Sequence, residues 1–189
     1  MPYSIRNGLL EGGRWLPSPN FEARPRQSKI ELLVIHCISL PPGKYGKDQR
    51  QSHHVEDFFL NKLDCSKHEY FKQLIDLRVS AHIFIERNGE VTQFVNFNDR
   101  AWHAGESCFN GRENCNDYSI GIELEGIDTD RYTRRQYTVL TEVTRAIQLS
   151  YPSISNDRIV GHEHIAPARK TDPGAQFDWL AYKGSLMER

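Results

Sequence analysis

The sequence predicts an α/β domain of the α+β kind, with a central mixed β-sheet flanked by helices. Three observations predict it: a continuous apolar run at 31–36, an alternating apolar segment at 119–126 and an amphipathic helix pattern at 133–151. Strand and helix patterns that alternate along one chain are typical of a sheet with helices packed on its faces. A chain of 189 residues suits one domain, so we expect residues 1–189 to form a single domain.

The first half of the chain mixes strong and weak structural signals. Residues 1–29 hold four prolines and few periodic apolar positions, which predicts an irregular N-terminal arm packed on the domain. The run "ELLVIH" at 31–36 predicts a central strand that is buried on both faces. A long loop follows at 39–54, and residues 54–75 predict one or two short helices.

A hairpin and a second strand are predicted next. In "HIFIERNGEVTQFV" (82–95), two alternating segments flank Asn88-Gly89, which is the preferred pair for a two-residue type I′ turn. In "SIGIELEG" (119–126), the isoleucines and the leucine face one way, while the glycine and the glutamates face the other.

The clearest helix and a short strand complete the pattern. Thr133 and Gln136 form a capping box at the start of the helix, and Pro152 ends it. The apolar stripe of this helix is Leu140, Val143, Ile147 and Tyr151. "RIVGH" (158–162) then predicts a short strand that ends at a histidine.

Composition excludes several classes of function. The net charge is -1, so nothing indicates binding to nucleic acid or to an anionic membrane surface. The first 19 residues contain no apolar run of signal-peptide length, and the four cysteines form no CxxC pair. We therefore expect free thiols and a cytoplasmic location. A monomer is the expected oligomeric state, although none of these observations determines it.

Two predicted strands end in histidines, His36 and His162, and Asp172 lies on a loop that can fold back towards them. Imidazole and carboxylate groups are ligands that zinc accepts, so these three residues predict a candidate metal site. Two alternatives stay open: His164 could replace His162 as a ligand, and Asp172 could simply cap the turn "TDPG". The loop histidines are interpreted as surface groups: His53, His54, His68 and His103.

Two further residues have a structural and a chemical interpretation. Glu123 lies on a strand face that is either open to solvent or borders a cavity, where the carboxylate would carry protons. Glu125 shares that face. Lys170 is either a surface residue or a cation that stabilises a developing oxyanion beside the metal.

Several motifs together resemble a known family: "LLVIH", "ISLPPG", "RVSAH", "RAWHAG", "SIGIELEG" and "IAPARKTDPG". In this order they are similar to the amidase-2 class of zinc N-acetylmuramoyl-L-alanine amidases, relatives of peptidoglycan recognition proteins. The AmpD subfamily, whose members act on 1,6-anhydro-N-acetylmuramyl-L-alanine in cell-wall recycling, gives the best match, and the likeness extends from about residue 8 to about residue 182.

The resemblance implies a zinc hydrolase that cleaves the amide bond between the lactyl group of (1,6-anhydro-)N-acetylmuramic acid and L-alanine, with a soluble anhydromuropeptide as its substrate. The residues implied are the zinc ligands His36, His162 and Asp172, the general acid/base Glu123, the stabilising cation Lys170, and the substrate contacts Arg78 and Trp102.

Two positions depart from the subfamily pattern. Cys37 stands where asparagine is usual, and Asn114 stands where arginine is common, so substrate affinity and sugar preference are the properties in question. Two other functions compete with a recycling amidase: a non-catalytic peptidoglycan-binding module, and an amidase that acts on intact cell wall. The first alternative predicts a missing zinc ligand, whereas all three ligand positions are filled here.

Overall fold

The computed structural model describes residues 2–48 and 53–188 of the chain. The α-helices within this part are α1 (His54–Phe59), α2 (Arg134–Ser150), α3 (His162–Ile165) and α4 (Trp179–Met187). The strands are β1 (Ser4–Arg6), β2 (Leu9–Glu11), β3 (Arg14–Trp15), β4 (Phe21–Ala23), β5 (Leu32–Ile38), β6 (Ile83–Ile85), β7 (Val91–Gln93), β8 (Asp99–Ala101), β9 (Cys108–Phe109), β10 (Arg112–Glu113), β11 (Ser119–Glu125) and β12 (Ile159–Gly161).

A six-stranded sheet in the order β12-β5-β11-β6-β7-β3 forms the centre of the fold. Strands β12, β5, β11 and β6 run parallel to one another, and β7 pairs antiparallel with β6. The sheet is therefore mixed and carries helices on its faces, which confirms the predicted fold class. The four parallel strands also direct their carboxyl ends towards the same edge.

The back face of the sheet packs against α2 and α4. Leu33, Ile35 and Ile122 are fully buried there, in one cluster with Val143 and Ile147 of α2. Each such side chain contributes roughly 1.5–3 kcal/mol when it leaves water, so this cluster supplies much of the stability of the fold. The front face also buries apolar side chains, among them Val34 and Phe84, but it carries polar groups towards the carboxyl ends of the strands, and those groups are discussed below.

Helix α2 begins and ends close to its predicted bounds. Thr133 accepts a hydrogen bond from the backbone N–H of Gln136, and the Gln136 side chain accepts one from the N–H of Thr133. This capping box satisfies two backbone donors that the first turn leaves without helical partners. The prediction of α2 from local sequence is confirmed.

The hairpin of β6 and β7 is present, but the predicted two-residue turn was wrong. Glu86 and Glu90 face each other across a three-residue loop, and Gly89 takes a positive φ of 88°. A two-residue loop at Asn88-Gly89 would have put Ile85 opposite Thr92, whereas the observed register pairs it with the apolar Val91. Burial of apolar side chains on one face therefore set the register over the local turn preference.

The arm at 1–29 is more regular than predicted, because it contains four of the short strands. Strand β3 adds to the edge of the main sheet beside β7, and β4 pairs with β8. Strands of two or three residues are too short to show periodicity in sequence, which is why the arm was wrongly expected to be irregular.

Other predictions can be compared directly. The short helices expected at 54–75 are α1 and a 3₁₀ helix at Glu69–Leu74. The loop expected at 39–54 includes residues 49–52, which lie outside the described residues. All four cysteines are free thiols, as predicted. No helix in the described part of the chain is both long enough and apolar enough to cross a membrane.

Candidate active site

Three potential metal ligands meet at the carboxyl ends of the parallel strands. His36 lies near the end of β5, and His162 directly follows β12. The loop after α3 folds back, because the N–H of Glu163 donates to the carbonyl oxygen of Asp172 at 3.0 Å. His36, His162 and Asp172 thus come from distant parts of the chain to one point on the front face.

Their donor atoms are close enough to bind a single metal ion. His36 Nδ1 lies 3.0 Å from His162 Nδ1 and 3.0 Å from Asp172 Oδ2, and His162 Nδ1 lies 3.2 Å from the same oxygen. Bonds of about 2.0–2.1 Å in a tetrahedral arrangement separate two ligand atoms by roughly 3.3 Å. The three donors therefore fit three corners of such an arrangement, with both histidines buried.

The ionisation of these groups also suits a metal. Burial is the main reason that the pKa of His36 falls, to about 4, so its ring is neutral at neutral pH. Although burial opposes it, the neighbouring His162 and His36 side chains lower the pKa of Asp172 below its usual value. Two neutral imidazoles and a carboxylate are the protonation states that metal binding requires.

Each histidine is oriented by a contact on the far side of its ring. His162 Nε2 lies 3.0 Å from the carbonyl oxygen of Ala104, so Nε2 carries the proton and Nδ1 presents its lone pair. Asn116 fixes that carbonyl, because its side-chain oxygen accepts the N–H groups of His103 and Ala104. His36 Nε2 in turn contacts His103 Nδ1 at 2.9 Å.

His103 was predicted to be a surface group, and that prediction was wrong. Its ring lies between His36 and Ser119, with Nε2 3.1 Å from the Ser119 hydroxyl. Burial lowers the pKa of His103 well below its usual value. The sequence did hold a signal, because glycine inside a strand often marks a close approach. A Cβ at Gly121 would lie 2.5 Å from Cγ of His103.

Two further histidines predicted at the surface, His53 and His54, are also not exposed, whereas His68 is exposed as expected. His53 precedes α1 and points into the fold towards Glu125. Loop histidines can be buried by contacts that are distant in sequence, and local composition does not reveal such contacts.

Glu123 lies beside the metal-ligand cluster on the same face of the sheet. It is in register with His36 across the β5–β11 pair, and its Oε2 is buried without a hydrogen-bond partner in the described part of the chain. Burial, together with the Asp172 carboxylate, raises the pKa of Glu123 well above its usual value, and Lys170 acts in the opposite direction. A carboxyl group with a raised pKa is suited to exchanging protons near neutral pH.

A cavity of about 520 Å³ opens over these groups. Glu123, His162, Lys170 and Asp172 border its polar side. A second side, the apolar wall, consists of Phe58, Phe59, Tyr70, Leu74 and Leu77. The volume is within the range of pockets that hold small molecules, so the cavity can hold a ligand with both polar and apolar parts.

The structure brings most of the residues predicted for the site to this cavity. Trp102 borders it, and its indole N–H lies 3.3 Å from Glu22 Oε1. Arg78 is not among the bordering residues: its guanidinium donates to the carbonyl oxygens of Ile75 and Leu77 on the exposed surface beside the wall.

The two atypical positions differ in their location. Cys37 borders the cavity and is partly buried, and burial raises the pKa of its thiol, so the thiol is neutral. Asn114 is exposed, does not border the cavity and adopts the left-handed conformation, which asparagine tolerates better than most residues.

The alternative residues considered from sequence lie elsewhere. The ring of His164 accepts the N–H of Gly161 through Nδ1 and is exposed. Glu125 accepts the N–H groups of Gly46 and Arg87 and does not border the cavity. Neither residue belongs to the cluster formed by His36, His162 and Asp172.

Comparison with known proteins gives consistent matches over most of the chain. The profile of the N-acetylmuramoyl-L-alanine amidase family (Amidase_2) matches residues 26–175. The 1,6-anhydro-N-acetylmuramyl-L-alanine amidase AmpD of Haemophilus influenzae is 54% identical over 182 residues, which cover 96% of this chain and 96% of that protein.

Solved structures resemble this one as well. A crystal structure of a selenomethionine AmpD derivative superposes with a TM-score of 0.91 at 47% identity, covering 96% of this chain and 98% of the other. The amidase AmiD from Escherichia coli, in complex with anhydro-N-acetylmuramic acid-L-Ala-D-γ-Glu-L-Lys, has a TM-score of 0.59 at 26% identity, covering 97% of this chain and 65% of that one.

Proposed function

This chain belongs to the N-acetylmuramoyl-L-alanine amidase family, and on that premise we propose that it hydrolyses the lactyl–L-alanine amide bond of 1,6-anhydro-N-acetylmuramyl peptides during peptidoglycan recycling. The observation that carries the proposal is the joint presence of a three-ligand cluster, Glu123 and Lys170 around one cavity. Relatives with this activity match nearly the whole chain, so the proposal covers the entire protein.

We propose that the ion is zinc and that His36, His162 and Asp172 hold it, one catalytic ion per chain. The spacing of the donor atoms, the neutral state of His36 and the bond from His162 to Ala104 support this assignment. When bound with three protein ligands, zinc supplies a Lewis acid that lowers the pKa of a water molecule and polarises the amide carbonyl.

We assign the proton transfers to Glu123. Its carboxylate would take a proton from the attacking water and then deliver it to the nitrogen of the leaving L-alanine. A buried carboxyl with a raised pKa holds that proton near neutral pH and releases it when a basic amine appears. Its place beside His36 in the sheet keeps it on the side of the cavity where the metal ligands lie.

Lys170 is the proposed stabiliser of the negative charge that develops on the carbonyl oxygen. It borders the cavity on the loop that also carries Asp172, and its backbone N–H donates to the carbonyl oxygen of Ala166 at 2.9 Å, which fixes the start of the side chain. An ammonium group that is positioned before the reaction stabilises an oxyanion more effectively than solvent does.

The proposed substrate is a soluble anhydromuropeptide, and the expected compartment is the cytoplasm. Trp102 can offer its apolar face to the sugar ring, and the apolar wall can cover the peptide side chains. Arg78 is proposed to bind a peptide carboxylate, which requires its guanidinium to leave the carbonyl groups of Ile75 and Leu77.

One assay tests this function against its alternatives. Purified protein is incubated with the anhydromuramyl tripeptide, with the ordinary reducing muramyl tripeptide and with intact sacculi, and free peptide is measured by liquid chromatography. We expect rapid release from the anhydro form only. Equal release from both soluble forms would refute the sugar specificity, and release from sacculi alone would indicate a cell-wall amidase.

A further inference from the structure

A second group of potential metal ligands lies deeper in the molecule. His53 directly precedes α1, Glu86 directly follows β6, and Glu125 is the last residue of β11. All three are buried, with relative exposures of 4%, 5% and 2%. One ligand atom from each lies within 4.8 Å of the others, as in the first cluster.

The imidazole of His53 is aimed at the two carboxylates. Its Nε2 lies 3.4 Å from Glu125 Oε1 and 3.9 Å from Glu86 Oε2. Neither ring nitrogen makes a hydrogen bond to any other described residue, and the ring edge packs against Phe84. A buried imidazole without a hydrogen bond is costly, and a cation held between Nε2 and the carboxylates would reduce that cost.

The two carboxylates of the group face a single imidazole. Glu125 also accepts the backbone N–H groups of Gly46 and Arg87. Glu86 has no ion-pair partner within 4 Å among the described residues other than His53. One proton on His53 balances a single carboxylate, whereas a divalent cation balances both.

We propose that His53, Glu86 and Glu125 bind a divalent transition-metal ion of the zinc type. One imidazole nitrogen and two carboxylate oxygens are ligands that such ions accept. The separation between His53 Nε2 and Glu86 Oε2, 3.9 Å, exceeds the roughly 3.3 Å expected between ligands of a tetrahedral site, so the Glu86 side chain shifts by about half an ångström towards His53 on binding.

This ion has a structural role and takes no part in hydrolysis. None of its three ligands borders the catalytic cavity. Glu125 lies two residues beyond Glu123, about 7 Å further along β11. The ion joins the start of α1 to two strands of the sheet, and α1 in turn supplies Phe58 and Phe59 to the apolar wall.

The first test is the zinc content of the intact protein. Wild type, Glu86→Gln, His53→Gln and the control Glu90→Gln are dialysed against dilute zinc, and bound zinc is measured by mass spectrometry. Glu90 is exposed and near Glu86, so its substitution makes the same charge change outside the cluster. We expect two ions per chain in wild type and in the control, and one in each cluster variant.

A second measurement separates this site from the catalytic one. His162→Ala removes a ligand of the first cluster only, so this variant should keep one zinc ion. Zinc should raise its melting temperature, because a ligand that binds the folded state stabilises it. The double variant His162→Ala with Glu86→Gln should bind no zinc and show no such rise.

Two results would overturn the proposal. One is a wild type that binds a single ion, with Glu86→Gln unchanged, which means that a proton on His53 occupies the position. The other is a His162→Ala protein that folds but binds no zinc. If His162→Ala does not fold, the comparison of Glu86→Gln with Glu90→Gln in the otherwise native chain decides the matter.

Discussion

Replacing Glu123 by glutamine tests two properties of this residue separately: its part in catalysis and its effect on the stability of the fold. Glutamine has nearly the same shape and can occupy the same place beside His36, but it can neither take up nor deliver a proton. We therefore expect Glu123→Gln to bind zinc and substrate like wild type, and to lose the chemical step.

The size of the catalytic effect follows from the role proposed. General acid–base catalysis contributes about 10²- to 10⁴-fold, so kcat should fall by about that factor while KM changes little. This corresponds to about 2.7–5.4 kcal/mol in the activation barrier, at roughly 1.36 kcal/mol per tenfold change.

The same substitution lowers kcat, but it should raise the stability of the metal-free protein relative to wild type as the pH rises. The pKa of Glu123 is raised in the folded state by burial and by Asp172, above the value of about 4.3 for an unfolded glutamate. The stability gained by protonation is full below that unfolded pKa and is lost as the pH rises through the folded pKa. Over that range the free energy of unfolding falls by at most about 1.4 kcal/mol per pH unit. A glutamine at this position does not titrate, so the variant does not show this decrease.

Two assays measure these effects. Steady-state kinetics with the anhydromuramyl tripeptide gives kcat and KM, and urea unfolding of the chelator-treated proteins between pH 4 and pH 8 gives the free energy of unfolding. We expect the free energy of unfolding of metal-free Glu123→Gln to increase relative to that of wild type as the pH rises. Glu90→Gln, which replaces an exposed glutamate, should follow wild type in both assays.

Near-wild-type kcat in Glu123→Gln would refute the catalytic assignment. A stability difference that does not change with pH would refute the argument that burial holds a proton on this group. The two outcomes are independent, because one depends on the bound substrate and the other on the metal-free fold.

Three further predictions concern neighbouring groups. His162→Ala should lose the catalytic zinc and all measurable activity, and full activity in that variant would exclude His162 as a ligand. Gly121→Ala should displace His103 from His36 and weaken zinc affinity by about 10- to 100-fold. The control Gly184→Ala, where a Cβ meets nothing within 4 Å, should leave zinc affinity unchanged. Equal zinc affinities in the two variants would contradict the role of His103. Arg78→Ala should raise KM more than it lowers kcat, the pattern expected when binding of the ground state and the transition state is lost equally. An unchanged KM would remove Arg78 from the substrate contacts.

The parts of the fold that local sequence determines were predictable. Strand β5 follows from an apolar run, and helix α2 follows from a capping box and a stripe whose members lie within a few turns of one another. The arm and the hairpin turn were mispredicted because their pairing depends on strands elsewhere in the sheet. Position in the sheet, and not the dipeptide Asn88-Gly89, decided the register of β6 and β7.

The candidate site was predictable to a similar extent. Strand-end histidines indicated His36 and His162, but the family resemblance was needed to choose among the alternatives for the third ligand and for Glu123. The partly buried position of His103 and the buried position of His53 depend on contacts with residues such as Ser119 and Glu125, which are far away in sequence. Spacing along the chain therefore could not reveal them.

The origin of the apolar wall has an evolutionary consequence. Its side chains all come from one continuous stretch, residues 58–77, whereas the groups assigned to the reaction come from the ends of separate strands and from the loop after α3. Under the proposed binding of the peptide at this wall, mutations in that stretch would alter which peptide is accepted and leave the hydrolytic groups in place. Substrate preference can therefore change in evolution through replacement of one sequence segment. Grafting residues 58–77 from one relative into another would transfer the peptide preference and leave the hydrolytic reaction unchanged.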